Sequence, residues 1–307
     1  MAAPHITILM ATCNGARYLP AQLDSLLSQT HVNWSLMASD DGSLDGTADI
    51  LRAFGRAYPA RVAGLFDGPG LGSAAQNFMA LLMRPEVPMG LVALADQDDV
   101  WLPQKLARAV DHLAATPPNL PAIYASESIL TDADLRPLAR SHEPTAQPGF
   151  RNALVQNLFA GHSTVLNAAA LALVQQVGRP QNIAFHDWWL YQLIAGAGGR
   201  CLLDPALTVL YRQHGANAFG SAFGVKGVLR RLNHLRRNDY AVWLGIHWQA
   251  LHAAAPYLTP EARDILRDLV ERPLAESRLA QMRRLQLHRS TAQGTAALWL
   301  AAGLGRV

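Results

Sequence analysis

Residues 90–106 read GLVALADQDDVWLPQKL. A short apolar run, Gly90 to Ala95, gives way at once to three carboxylates, Asp96, Asp98 and Asp99, and then to a Trp-Leu-Pro step that opens a new segment. An apolar run of this length ending at a polar turn is the pattern of a strand covered on both faces, as in a parallel sheet. The arrangement occurs twice, because WSLMAS (34–39) is followed by Asp40 and Asp41 in DDGSLDGT. In open α/β sheets ligands bind beyond the carboxyl ends of the strands, so the two acidic turns are expected to share one edge and line one pocket.

Working outward, ITILMA (6–11) is a first strand, and LPAQLDSLLSQT a helix with Leu19, Leu23, Leu26 and Leu27 on one face. ADILRAFGRAY is a second amphipathic helix and RVAGLF a further strand. This alternation of βα units predicts an α/β fold around a largely parallel sheet. In the middle, AIYASESILTDADLRPL predicts an extended segment turning at Asp132 to Asp134, and CLLDPALTVLYRQH another strand. FHDWWLYQLIAGAGG starts a helix near Asp187 and stops at glycines. From Phe223 the chain reads as helical and rich in Arg, Leu and Ala, with breaks at Pro256, Pro260 and Pro273. The expected division is a domain over 1–222 and a helical region over 223–307.

With 307 residues, half of them hydrophobic, the chain can bury a substantial core. Two isolated cysteines, Cys13 and Cys201, indicate neither a disulfide framework nor a zinc site, and a reducing cytoplasm is expected. MAAPHITILMATCNG lacks a basic leader before a long apolar stretch, and no run approaches the roughly 18 apolar residues of a membrane span. Net charge is only +3, and no nucleic-acid partner is expected. KGVLRRLNHLRR (226–237) nevertheless carries five basic residues and no acidic one. It reads either as an amphipathic helix making peripheral contact with anionic lipid or as a solvated surface helix. TAALWLAAGLGRV, too short to span a bilayer, is expected to dock on a neighbouring helix or a second subunit, and the oligomeric state stays open.

Each motif alone has a plain structural reading. Asp99 could cap a helix starting near Pro103 while Asp96 and Asp98 are solvated. DDGSLDGT could be an Asx-type turn with Gly42 and Gly46 in unusual backbone angles. GPGLGS (68–73) fails the dinucleotide pattern, since Ser73 stands where a third glycine belongs and Pro69 interrupts the turn, so a flexible loop is expected and an oxidoreductase set aside. HDWW could be a capping pair followed by core tryptophans. Against these readings, densely packed carboxylates repel one another unless a cation or donors compensate, and Mg2+ or Mn2+ suits one or two of them plus phosphate oxygens.

Taken in order, ITILMATCNGARYLPAQLDSLLSQT, ASDDGSLDGT, LADQDDVWLPQKL, FAGHSTVLN, FHDWWL and LYRQHGAN resemble the bacterial family 2 glycosyltransferases, particularly rhamnosyltransferase-like members, over roughly residues 5 to 220. The resemblance implies a GT-A fold: a Rossmann-like mixed sheet flanked by helices, here with a C-terminal helical extension. It implies a nucleotide-diphosphate sugar donor, dTDP-rhamnose or a UDP-hexose, and a divalent cation, Mg2+ or Mn2+. It also implies inversion at the anomeric carbon and a saccharide or lipid-linked acceptor in surface polysaccharide synthesis. By motif, Asp187 looks like the general base and Asp41 like the base-recognising carboxylate, with Asp40 beside it. Ala11, Cys13, Asn77, Asp96 and Arg212 fall in the nucleotide-sugar site. Asp98 and His214 look like metal ligands, and His162, Trp188 and Trp189 like acceptor contacts. Cys13 departs from the Tyr common at its position, which removes a stacking surface for the base, and His162 replaces a small residue or Cys. The alternatives are a binding module without catalysis and a glycoside hydrolase, which would also use paired carboxylates.

Overall fold

The computed structural model describes residues 3–141, 147–214, 238–271 and 276–307. Its nine strands are β1 (Ile6–Thr12), β2 (Trp34–Asp40), β3 (Val62–Asp67), β4 (Leu91–Asp96), β5 (Val100–Trp101), β6 (Ala122–Thr131), β7 (Pro137–Arg140), β8 (Val165–Leu166) and β9 (Arg200–Arg212). They form one sheet in the order β3-β2-β1-β4-β8-β6-β9-β5, with β7 paired to β6. The first four strands are mutually parallel, whereas β8 is antiparallel to both β4 and β6. The sheet is therefore mixed, as the GT-A resemblance implied, with its parallel half where the βα pattern predicted it. Register matters for the site: Thr12 pairs with Asp40, and Ala11 with Asp96. The acidic ends of β2 and β4 thus flank the end of β1 on one edge.

Alternation along β1 separates two cores. Ile6, Ile8 and Met10 face α1 (Leu19–Leu27), α2 (Thr47–Ala57) and α4 (Lys105–Ala114). Leu9 and Ala11 face α3 (Ala74–Leu82), α5 (Phe150–Ala153), α6 (Ala168–Val177) and α7 (His186–Gly196). α3 escapes the sequence reading because Ala75, Gln76, Asn77, Phe78, Met79, Leu81 and Leu82 are all buried, leaving no polar stripe to reveal its period. AIYASESILTDADLRPL is the β6–β7 hairpin, with Leu135 at φ 65° in its turn.

The C-terminal part is helical, with α8 (Asp239–Ala253), α9 (Pro260–Glu271), α10 (Arg278–Arg284) and α11 (Ala292–Gly303). It shares the second core: Leu244, Trp248, Leu251, Leu266, Met282 and Leu298 pack with residues of α3 and α7. Trp248 Nε1 donates to Leu154 O at 2.9 Å, and His247 Nδ1 lies 2.9 Å from Gln192 Oε1. The boundary near 222 and the basic stretch 226–237 lie outside the described residues, as does Pro273. Among the described residues no helix is long and apolar enough to cross a membrane.

β9 is tied to β6 by a buried charge. The fully buried Asp204 carboxylate accepts from Arg108 Nε and Nη2 at 2.7 and 2.8 Å, from the Tyr124 hydroxyl at 2.8 Å and from Ala206 N–H at 3.0 Å. Burial alone would raise its pKa, but these donors prevail and hold it at about 2. The depressed value adds stability that is complete above the ordinary carboxylate range and lost as pH falls from about 4 through about 2. Asp204→Asn is expected to lower unfolding free energy by about 2–4 kcal/mol at pH 7, discounted for the part-exposed arginine. The difference from the parent protein should narrow at pH 3, as read by urea unfolding.

Candidate active site

A cleft of about 680 Å³ opens at the carboxyl edge of β1, β2 and β4, within the range of small-ligand sites. Ala11, Cys13, Asp41, Asn77, Asp96, Asp98, His162 and Asp187 all line it. Eight of the side chains expected at the site therefore face one space, although they are spread over 177 positions of sequence from Ala11 to Asp187. Gln97, Gly161, His186 and Tyr211 also line it and were not foreseen.

The acidic turn after β4 is clamped by the end of β9. His214 Nε2 lies 2.7 Å from Asp98 Oδ2, with both side chains mostly covered. Arg212 N–H donates to Asp99 Oδ1 at 3.1 Å, and its guanidinium donates to Asp98 O at 2.8 Å and to Ala133 O. That guanidinium is nearly buried and stacks over Tyr18, whose ring also meets His214. The expectation that Arg212 grips a diphosphate directly is thus corrected: its donors brace the main chain under the turn. Asp99 is not a helix cap either, since Gln104 precedes α4 and Asp99 is wholly buried. Burial, with Asp98 and Asp187 nearby, pushes Asp96 up to about 8. Burial pushes Asp99 well up too, beside Asp98 and Asp96. Below them lies Lys105, which burial lowers to about 7 against the pull of Asp99.

Asp187 sits in the first turn of α7. Gly161 N–H donates to its Oδ2 at 2.9 Å and Trp188 N–H to its Oδ1 at 2.7 Å. Preceding it, His186 stacks on Phe78 with ring centres 4.2 Å apart, and its buried Nε2 has no hydrogen-bond partner among the described residues. Trp188 and Trp189 correct the expected acceptor surface: they are 4% and 0% exposed, and Trp188 Nε1 donates to Ala153 O at 2.7 Å. A helix packed on several sides turns them into the core. His162 does line the cleft, held by Ser128 Oγ at 2.7 Å and stacked on Tyr211. Burial, aided by Lys105, lowers it to about 3, so it is neutral at pH 7.

Around β2, Asp40 is a turn residue. Its carboxylate accepts from Thr12 Oγ1, Ser43 Oγ and Ser43 N–H, so it does not line the cleft. Asp41 accepts from Gly70 N–H at 2.6 Å and Gly72 N–H at 2.7 Å. GPGLGS is therefore a loop fastened on Asp41, with Gly70 and Gly72 at φ 68° and 62°, where side chains are disfavoured. Asn77 spends its amide on Ser39, accepting from Oγ at 2.6 Å and donating to O at 3.0 Å. Gln97 pairs with Cys13 like a strand neighbour, accepting from its N–H at 2.9 Å and donating to its O at 2.8 Å. Its position between two aspartates was the available signal.

Asp98, which lines the cleft, and His214 beside it offer one oxygen and one nitrogen 2.7 Å apart, a donor set suited to a divalent cation. Asp96, Asp99 and His162 also bring possible ligand atoms within 4.8 Å, but His162 Nε2 is engaged by Ser128 and Asp99 Oδ1 by the Arg212 N–H. Asp98 and His214 are less deeply buried than Asp99 and His162, and that pair fits better. Gly161 is the tightest point of the arrangement: a Cβ there would stand 2.8 Å from His186 Nε2 and 3.5 Å from Asp187 Cβ. Gly161→Ala is expected to destabilise the fold by about 1–3 kcal/mol through overpacking, measured by chemical denaturation.

The description "Glycosyl transferase family 2" belongs to the family model that matches residues 7–167, just over half of the chain. A dTDP-rhamnosyl transferase, RfbG of Shigella flexneri, is 28% identical over 240 residues, covering 75% of this chain and 80% of that protein. Among solved structures, the mannosyltransferase PcManGT of Pyrobaculum calidifontis, in complex with GDP-Man and Mn2+, superposes with a TM-score of 0.56 at 17% identity. The match covers all of this chain and 88% of that one. TarS 1–349 of S. aureus, in complex with UDP-GlcNAc, gives a TM-score of 0.55 at 13% identity over 86% of each chain. These likenesses are to the fold, which is that of GT-A glycosyltransferases.

Proposed function

The chain belongs to glycosyl transferase family 2 and is a glycosyltransferase, and from that premise we propose an inverting, metal-dependent sugar transfer from a nucleoside-diphosphate donor. The acceptor is a hydroxyl of a saccharide or lipid-linked saccharide in surface polysaccharide synthesis at the cytoplasmic side of a membrane. The likeness to a dTDP-rhamnosyl transferase supports dTDP-rhamnose as the donor. The observation that carries the reading is the convergence of Asp41, Asp98 and Asp187 on one cleft, with His214 beside Asp98. Residues 1–222 supply the chemistry in this proposal, and the helices after residue 223 cover the second core.

Asp187 accepts the proton of the acceptor hydroxyl as that oxygen bonds to the anomeric carbon. The bond to the diphosphate oxygen breaks on the opposite face, and the nucleoside diphosphate leaves with the electron pair. Gly161 and Trp188 N–H groups fix the carboxylate while leaving further lone pairs on both oxygens for the incoming hydroxyl. Asp98 and His214 would hold a divalent cation, which would supply Lewis-acid charge for the leaving diphosphate. Arg212 acts from below, keeping the acidic turn in place through its main-chain bonds. Asp41 meets the nucleobase with lone pairs not used by Gly70 and Gly72.

Asp187→Asn should lower kcat about 100- to 10,000-fold while nucleoside-diphosphate binding stays unchanged. Equal turnover in a steady-state transfer assay would remove Asp187 from the base role. With Mn2+ and a nucleoside diphosphate at 100 times Kd, the parent protein should gain roughly 2–3 kcal/mol of stability, and Asp98→Ala should lose that gain. A thermal-shift panel of dTDP-rhamnose, UDP-hexoses and GDP-mannose ranks the donors. Ligand binding without transfer to any acceptor would favour the binding-module alternative.

A further inference from the structure

We infer that His186 is a further binding residue of the cleft, donating through Nδ1–H to a hydroxyl of the transferred sugar; this rests on the transferase reading and adds a donor-sugar contact to it. His186 lines the cleft, yet its side chain is 8% exposed and neither ring nitrogen has a hydrogen-bond partner among the described residues. A buried polar group without a partner is costly, and a ligand that supplies one removes that cost.

The two nitrogens are not equivalent. Nε2 is sealed from solvent, and a Cβ on Gly161 would stand only 2.8 Å from it. Phe78 holds the ring from its face, with centres 4.2 Å apart and planes 23° apart. Nδ1, equally unpaired, keeps access to solvent, and the space beside it is the cleft that the residue lines. Burial lowers the imidazole pKa against the pull of Asp187, so the ring is neutral at pH 7 and carries one proton. A sealed N–H without an acceptor is a rarer defect than a sealed lone pair, which puts that proton on Nδ1.

The position of this N–H limits what it can meet. His186 immediately precedes Asp187 in α7 and packs on α3, the helix that gives Ala74, Ala75 and Asn77 to the cleft. Asn77 accepts from Ser39 Oγ beside the acidic end of β2, on the nucleotide side of the transferase reading. In a single displacement the transferred sugar lies between the leaving diphosphate and the base. An N–H between α3 and Asp187 therefore meets that sugar. A diphosphate oxygen is a poor partner, because the N–H is uncharged and stands next to a carboxylate, whereas phosphate favours charged donors. A sugar hydroxyl accepts from a neutral N–H without that conflict.

The test is calorimetric titration of the full chain, with Mn2+, using dTDP-rhamnose, UDP-glucose and GDP-mannose, each beside its own nucleoside diphosphate. The readout is the ratio of the two dissociation constants, in which a general loss of nucleotide affinity cancels. His186→Leu and His186→Gln should each shift that ratio about three- to tenfold against the best-bound sugar nucleotide. His186→Asn, whose amide nitrogen falls where Nδ1 lies, should keep it within about twofold of the parent protein. Glutamine carries its amide nitrogen to the Nε2 position instead, against Gly161. Urea unfolding establishes which variants are folded. A ratio unmoved in the folded Leu or Gln protein overturns the contact, as do sugar nucleotides that fail to bind where the diphosphates bind. Asparagine behaving like leucine overturns Nδ1 as the donor atom. If neither diphosphates nor sugar nucleotides bind the parent protein with Mn2+, the transferase reading fails and the contact with it.

Discussion

Repulsion among carboxylates is the constraint around which this molecule is arranged. Asp96, Asp98, Asp99 and Asp187 are brought close enough that burial and mutual charge raise the protonation range of two of them. A parallel sheet edge alone would let such a turn swing outward into water. It is kept in place because β9 returns alongside β6 and delivers Arg212 and His214 against it. The arginine neutralises charge from beneath and ties down main chain, and the histidine meets Asp98, one of the carboxylates that line the cleft. The division holds the acidic turn in place while Asp98 still lines the cleft.

The same economy governs the cleft walls. Glycines are placed where main chain must approach a cleft carboxylate closely: Gly70 and Gly72 at Asp41, Gly161 at Asp187. In each case the N–H groups orient the acid without covering it with side chain. Burial of the C-terminal helices in the core behind α3 and α7 makes that region part of the support for Asp187.

Much of this was legible in the residues. β1, β2 and β4 are legible as apolar runs, two of them ending in acid, and the edge rule for α/β sheets brings those acidic ends together. The mixed half of the sheet came from the ordered motifs, since a two-residue strand such as β8 has no period to read. What stayed hidden depends on contacts distant in sequence. Arg212 looks like a phosphate ligand until its main-chain partner, 114 positions away, is seen. Trp188 and Trp189 suit a sugar platform or a core equally well by type, and only packing of α8 against α7 decides for the core. Asp99 had a plausible local role at the next helix, but its bond runs to β9.

The span between the acidic turn and its clamp also sets an order of assembly. Asp98 and His214 are 116 positions apart, so closing this contact costs the chain entropy that local turns do not. A nascent chain that has emerged through α7 already owns every carboxylate of the cleft, yet Arg212 and His214 are still to be made. The Asp98–His214 contact is therefore a late product of folding, completed only when β9 docks on β6, and an unfinished chain has the acids without their clamp.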